Sequence, residues 1–101
     1  MIKALVSLGL SRVDAEVYVY VAKKGSQSVM DLNNALNYSK NQIYASLRTL
    51  IEQGLINKED STYLSISFEE ALELLIRRNK EDEKLLEENK KELLVNWKKE
   101  E

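Results

Sequence analysis

The segment from Ser39 to Gly54, S-K-N-Q-I-Y-A-S-L-R-T-L-I-E-Q-G, constrains the fold most, because its residues mark both ends of one amphipathic helix. Ser39 is a favourable N-cap, and Gln42, three residues later, can complete a capping box. Gly54 is placed to adopt the left-handed conformation that ends a helix. One face of the predicted helix carries the aliphatic residues Ile43, Leu47, Leu50 and Ile51.

The opposite face of this helix is polar and interrupted by small residues. It carries Lys40, Asn41, Gln42, Ala45, Arg48 and Thr49. Lys and Arg can donate to guanine in the major groove of DNA, and Asn and Gln can pair with adenine. The segment therefore predicts the recognition helix of a winged helix-turn-helix. Two plainer interpretations stay open: an ordinary polar first turn, and an ion pair between Arg48 and Glu52.

The composition excludes several classes of function. The chain has 101 residues, enough for one modest domain, and it contains no cysteine and no histidine. We therefore expect a protein that has no disulfide, metal ion or cofactor and is not an enzyme. The acidic cluster of Glu69, Glu70 and Glu73 has a simpler explanation in the helix dipole. With no apolar run of membrane length, we expect a cytoplasmic, nucleoid-associated protein that does not contact membranes.

The other segments of residues 1–66 are also consistent with a winged helix-turn-helix. Helices are predicted from Ile2 to Leu8, from Arg12 to Lys24 and from Val29 to Leu36, with Ser11 and Ser28 as N-caps. Two strands, residues 55–58 and 62–66, form the hairpin called the wing, and a third short strand near Gln27 and Ser28 is a further possibility. The predicted core positions include Val6, Ala15, Tyr18, Val19, Ala22, Val29 or Met30, Leu32 and Leu36.

The sequence pattern of residues 67–101 predicts a helix. Ser67 is a fourth serine cap, and nothing interrupts the pattern from Phe68 to about Lys99, a rod of roughly 50 Å. The run Arg77–Lys84 has no apolar residue. We expect the apolar side chains to pair with a second copy, because an exposed apolar patch is unfavourable on a monomer. The dimerisation candidates are Leu75, Asn79, Leu86, Leu93, Leu94 and Trp97. The alternative is a helix that folds back onto the head or frays.

These predictions define the fold class and domains. The fold is mainly α with a small β-hairpin, a winged helix-turn-helix followed by a long C-terminal helix. Residues 1–66 form the head, and residues 67–101 form the dimerisation helix. Through Ile66 the chain has seven Lys and Arg against six Asp and Glu, whereas the remainder has eight against eleven. Because DNA-binding domains usually carry a stronger basic footprint, a protein–protein interaction module without DNA binding stays as an alternative.

Three stretches resemble the N-terminal domain of the TrmB-like family of archaeal transcription regulators. The first is L-G-L-S-R-V-D-A-E-V-Y, Leu8 to Tyr18, which resembles the opening helix of that family. The second, Ser39 to Ile56, resembles its recognition helix and the start of its wing. The third, F-E-E-A-L-E-L-L-I, Phe68 to Ile76, resembles the start of its linker helix. Together these stretches span most of the chain.

The resemblance implies a homodimer that binds double-stranded DNA at specific sequences. The DNA-facing residues it implies are Ser39, Lys40, Asn41, Gln42, Ala45 and Arg48, with Tyr44 at the edge. To these we add Ser28 and Lys58 from their positions at a helix start and in the wing, although capping also explains Ser28. Larger members of the family continue into a sugar-sensing domain. This chain ends at Glu101, so no small-molecule effector is expected, and its wing tip is acidic on balance.

Overall fold

A computed structural model describes residues 1–78 and 83–100, with side chains described for 1–78 and 90–99. Within these residues the chain forms helices before and after one β-hairpin. In chain order the elements are α1 (Ile2–Ser7), α2 (Arg12–Lys24), α3 (Val29–Ala35), α4 (Lys40–Glu52), β1 (Ile56–Glu59), β2 (Thr62–Ser65), α5 (Phe68–Arg78) and α6 (Glu83–Glu100). This confirms the mainly helical winged helix-turn-helix.

Serine side chains start four of these helices. Ser11, Ser28, Ser39 and Ser67 each accept a hydrogen bond from the backbone N–H three residues later, at 3.1–3.2 Å. At Ser28 and Ser39 the side chain of the third residue returns the bond, which completes a capping box. Because these contacts are local in sequence, the helix starts could be predicted to within a residue or two.

The core lies between α1, α2, α4 and α5. Tyr18 is among the largest fully buried side chains. Its hydroxyl donates to the backbone carbonyl of Ile66 at 2.9 Å, so α2 is joined to the segment that follows the wing. Burial of the ring, with the nearby carboxylate of Glu70, raises the pKa of Tyr18 well above its ordinary value.

Some predicted core positions are exposed instead. Val6 and Met30 are 42% and 60% exposed, and Ile51 is 40% exposed. Leu32 is fully buried, whereas Val29 and Leu36 pack at the edge of the core. Since α3 has only seven residues, it buries one side chain completely and presents its first turn to solvent.

The wing is an antiparallel hairpin of two strands, with a single bridge to the segment before α3. Ile56 pairs with Ser65 and Glu59 pairs with Thr62, which leaves a two-residue turn. Gln27 forms an isolated bridge with Tyr63 through N–H···O bonds of 3.1 and 2.8 Å. This bridge ties the wing to the segment before α3, but it involves one residue pair, so the sheet in the described residues has two strands and not the predicted third.

The prediction of one uninterrupted helix from Phe68 to Lys99 is wrong. The rings of Phe68 and Trp97 stack with centroids 4.2 Å apart and an interplanar angle of 15°. In one continuous helix these residues would lie roughly 43 Å apart along the axis. The chain therefore reverses direction between α5 and α6, and α6 packs back against α5.

The reversal has a physical explanation in what α6 gains. Trp97 is only 8% exposed, and Lys23 Nζ lies 5.2 Å from the centroid of its ring. Lys90 donates to Glu73 at 2.7 Å, and this hydrogen bond, together with the charge of Lys90, lowers the pKa of Glu73. α5 ends at Arg78 and α6 begins at Glu83, and both residues belong to the run Arg77–Lys84, which has no apolar residue.

Candidate nucleic-acid interface

The ends of α4 are held by hydrogen bonds that its own sequence provides. The capping box of Ser39 and Gln42 starts the helix. At the other end Gly54 has a φ of 79°, its N–H donates to the carbonyl of Ile51 at 3.0 Å, and the N–H of Leu55 donates to the carbonyl of Leu50 at 2.9 Å. This pair of bonds is a Schellman motif, and it fixes the length of the helix.

The polar face of α4 is exposed, as predicted. Lys40, Asn41, Gln42, Tyr44, Ala45 and Arg48 are all exposed, and Thr49 is half-buried. Lys40 and Arg48 form no ion pair with another residue in the part of the chain that the structure describes, so the pair between Arg48 and Glu52 is not formed. The nine residues from Lys40 to Arg48 span about 12 Å along the helix axis, the length of three to four base pairs of DNA.

The capping serines have only part of their hydrogen-bonding capacity left. The hydroxyl oxygens of Ser28 and Ser39 accept bonds from the backbone N–H groups of Asp31 and Gln42. The side-chain oxygen of Gln42 accepts from the N–H of Ser39 at 2.9 Å. A hydroxyl hydrogen on each serine and the amide nitrogen of Gln42 can still donate to a phosphate or a base.

The turn before α4 is anchored to α2 and α3. Asn33 donates to the backbone carbonyl of Tyr38 at 2.8 Å. The hydroxyl of Tyr38 donates to Glu16, and this bond raises the pKa of Tyr38. Glu16 also lies 3.8 Å from the guanidinium of Arg12, one turn earlier in α2. These contacts hold the first turn of α4 in a defined position.

The wing presents mixed charge. Lys58 is exposed on β1, and its Nζ lies 5.8 Å from the ring centroid of Tyr63, its partner across the hairpin. The next two residues, Glu59 and Asp60, are acidic and exposed, and Asp60 has a φ of 53° at the turn. Lys58 is therefore the only cation in the hairpin, 56–65, beside two acids at its tip.

Two buried polar residues beside α4 were missed from the sequence. Ser46 is 3% exposed and donates to the carboxylate of Asp14 at 2.6 Å. Ser46 occupies the i+3 position of the stripe Ile43, Leu47 and Leu50, where the helical period requires a core residue. A serine at that position was the available indication of a buried hydrogen bond. Ile51 lies one position beyond the stripe, which explains its exposure.

The residues proposed for dimerisation have different surroundings. Leu75 and Trp97 are buried within the chain at 3% and 8% exposure, and Leu93 and Leu94 are partly buried against the core. Val95 is 51% exposed. Asn79 and the side chain of Leu86 lie outside the described residues. Within one chain, therefore, Leu75 and Trp97 already have apolar partners.

The geometry defines a class of protein. Two helices joined by a tight turn, with the second helix exposed along its polar face and followed by a hairpin, form a winged helix-turn-helix of the DNA-binding type. The described residues include no group of His, Cys, Asp and Glu that could hold a metal ion. None of the described helices has the length and apolar character needed to cross a bilayer.

The chain belongs to the TrmB family of transcriptional regulators. The family model described as the sugar-specific transcriptional regulator TrmB matches residues 5–69, well over half of the chain. The matched range runs from α1 through the wing to the start of α5. No curated protein and no solved structure matches the chain significantly. The protein is therefore a transcription regulator of the DNA-binding class.

Proposed function

We propose that this regulator recognises specific sequences in double-stranded DNA by placing α4 in the major groove. The observation that carries the proposal is the exposed face of α4, on which Lys40 and Arg48 have no ion-pair partner among the described residues. A helix with its side chains is about 10–12 Å across, and the major groove is about 12 Å wide. Asn41 and Arg48 are available for adenine and guanine, and Lys40 for the nearest phosphate.

We infer further that two copies bind together, each with its own half-site. Family membership supports pairing, and the exposed Val95 beside the partly buried Leu93 and Leu94 supports α6 as the contact surface. In this arrangement Leu75 and Trp97 stay within their own chain. Half-sites would then lie about 34 Å apart, or at a multiple of one DNA turn.

Contacts from the remaining predicted residues would be secondary. Ser28 and Ser39 each keep one hydroxyl hydrogen for a phosphate, and Tyr44 and Ala45 provide apolar contact with base edges such as the thymine methyl. Lys58 would reach the backbone from the wing. Because Glu59 and Asp60 lie beside it, we propose that the wing contributes little to affinity.

The test is a mobility-shift titration of duplex DNA over a range of salt concentrations. Lys40→Ala with Arg48→Ala should weaken binding about tenfold or more. The slope of log affinity against log salt concentration should become shallower by up to about two, because two phosphate-neutralising charges are removed. Lys98→Ala with Lys99→Ala removes the same charge from exposed positions at the end of α6 and is the matched control. Equal affinity of the two double variants would exclude this face of α4.

A protein–protein interaction module is the second candidate, favoured by the near-neutral head. Through Ile66 positive residues exceed negative ones by one. The same titration separates the two candidates, because an interaction module would retain no DNA fragment even at low salt. Retention that falls linearly with the logarithm of the salt concentration would exclude it.

A further inference from the structure

The hydrogen bond between Asp14 and Ser46 joins α2 to the buried side of α4. These two side chains are the buried polar residues of the described core, at 8% and 3% exposure. Ser46 Oγ donates to Asp14 Oδ1 at 2.6 Å. The backbone N–H of Asp14 donates to Ser11 at 3.1 Å, so the backbone of Asp14 is held in the first turn of α2.

Such a bond constrains the helix more than the apolar contacts around it do. Ile43, Leu47 and Leu50 contact other aliphatic side chains, and such contacts have no preferred direction. A buried hydroxyl and carboxylate lose their hydrogen bond when they move apart, and each is then unfavourable without a partner. A single buried polar contact can therefore select one register between two helices.

The contact lies directly behind the exposed face of α4. A groove of about 290 Å³ opens beside it, and its walls combine the first turn of α2 with that face. The lining residues are Ser11, Val13, Asp14, Gln42, Ala45, Ser46 and Thr49. The residues of a helix keep fixed angles to one another about its axis, about 100° per residue. A small rotation of α4 at Ser46 would therefore also turn Ala45 and Arg48 away from their positions.

We propose that Asp14 is a positioning residue for DNA recognition, acting through Ser46 on the orientation of α4. The inference rests on the proposed function and adds to it. General attraction to phosphate depends on the presence of Lys40 and Arg48, and it tolerates a shift of the helix. Discrimination between base pairs depends on where Asn41 and Arg48 lie, and it does not tolerate such a shift.

The experiment measures the ratio of affinities for a selected duplex and a scrambled duplex of equal length. Each variant is measured by fluorescence anisotropy at one salt concentration, at a temperature where circular dichroism shows it folded. Ser46→Ala should lower this ratio about tenfold, a change of about 1.4 kcal/mol in discrimination. Its affinity for the scrambled duplex should stay unchanged.

Two further variants separate positioning from stability. Asp14→Asn keeps an oxygen that can accept from Ser46, so it should keep the ratio within about threefold. Tyr18→Phe removes a different hydrogen bond from the same helix, the one to Ile66, and should lower stability without changing the ratio. If Ser46→Ala does not fold, Asp14→Ala with Ser46→Ala removes both buried polar groups and should fold with the reduced ratio.

The possible results are distinct. A folded Ser46→Ala protein, or the folded double variant, with an unchanged ratio would overturn the positioning role. A ratio that falls equally in Tyr18→Phe would overturn it too, because discrimination would then follow stability alone. If the unaltered protein showed no preference between the duplexes, the proposed function itself would fail, and the positioning role with it.

Discussion

The hydroxyl of Tyr18 donates a hydrogen bond to Ile66, in a segment 48 residues later. Without it, the carbonyl of Ile66 would lose its partner at the edge of the core. We predict that Tyr18→Phe lowers the free energy of unfolding at neutral pH by about 1 kcal/mol. Urea denaturation followed by circular dichroism would measure this, and an unchanged midpoint would show that the bond contributes nothing net.

The pH dependence of the same variant follows from the pKa of Tyr18. Because this pKa is raised in the folded state, the neutral phenol contributes stability that is complete below the unfolded value of 10.0. That contribution is lost as the pH rises from 10.0 through the folded pKa. Above pH 10 the unaltered protein should therefore lose stability faster than Tyr18→Phe. Parallel loss in both proteins would contradict the assignment.

Individual residues also show where the helical pattern of α4 was informative. The caps at Ser39 and Gln42 and the stop at Gly54 depend on residues within a few positions of each other, so the sequence predicted them. The pattern assigned Ile51 to the core, because aliphatic character alone does not separate the centre of a stripe from its edge. Ser46 was not recognised as buried, since its partner Asp14 lies 32 residues earlier.

At the scale of elements, α6 is held to the head by a few contacts. They include the stack of Trp97 on Phe68, the approach of Lys23 to the Trp97 ring and the bond from Lys90 to Glu73. Leu93 and Leu94 also pack against the core. Helices in proteins obtain most of their stability from packing of one face. We predict that Trp97→Ala releases α6 at a cost of up to about 3 kcal/mol. Amide hydrogen exchange should become fast in α6 and stay slow in α2 and α4.

Asn96→Ala is the control for that experiment. Asn96 lies in α6 one residue before Trp97 and is exposed. Its truncation should change stability by no more than about 0.5 kcal/mol and leave the exchange of α6 slow. If α6 remained protected in Trp97→Ala, the ring stack would not be what holds it.

The position of α6 could not be predicted from the sequence for a physical reason. Phe68 and Trp97 are 29 residues apart, and no local pattern indicates that they meet. The absence of proline and glycine after Gly54 is equally compatible with one helix and with two. Folding back gives Trp97 an apolar neighbour within its own chain, whereas the pattern of apolar residues predicts that neighbour in a second copy.

At the scale of the whole molecule, the head and α5 share one core. Phe68, Leu72, Leu75 and Ile76 are buried with side chains of α1, α2 and α4. The matched family region ends at residue 69, where α5 has just begun. This core supports α4 from behind and leaves its polar face exposed, which is the arrangement that a DNA-binding regulator requires.

The most direct test of that arrangement is a selection of bound sequences from a pool of random DNA duplexes. The oligomeric state of the protein should be measured under the same conditions. We predict enrichment of an inverted repeat whose half-sites lie about one helical turn apart, or a multiple of it, bound by a dimer. The variant with Lys40→Ala and Arg48→Ala should not enrich it. No enrichment, or the same motif enriched by that variant, would contradict recognition through α4.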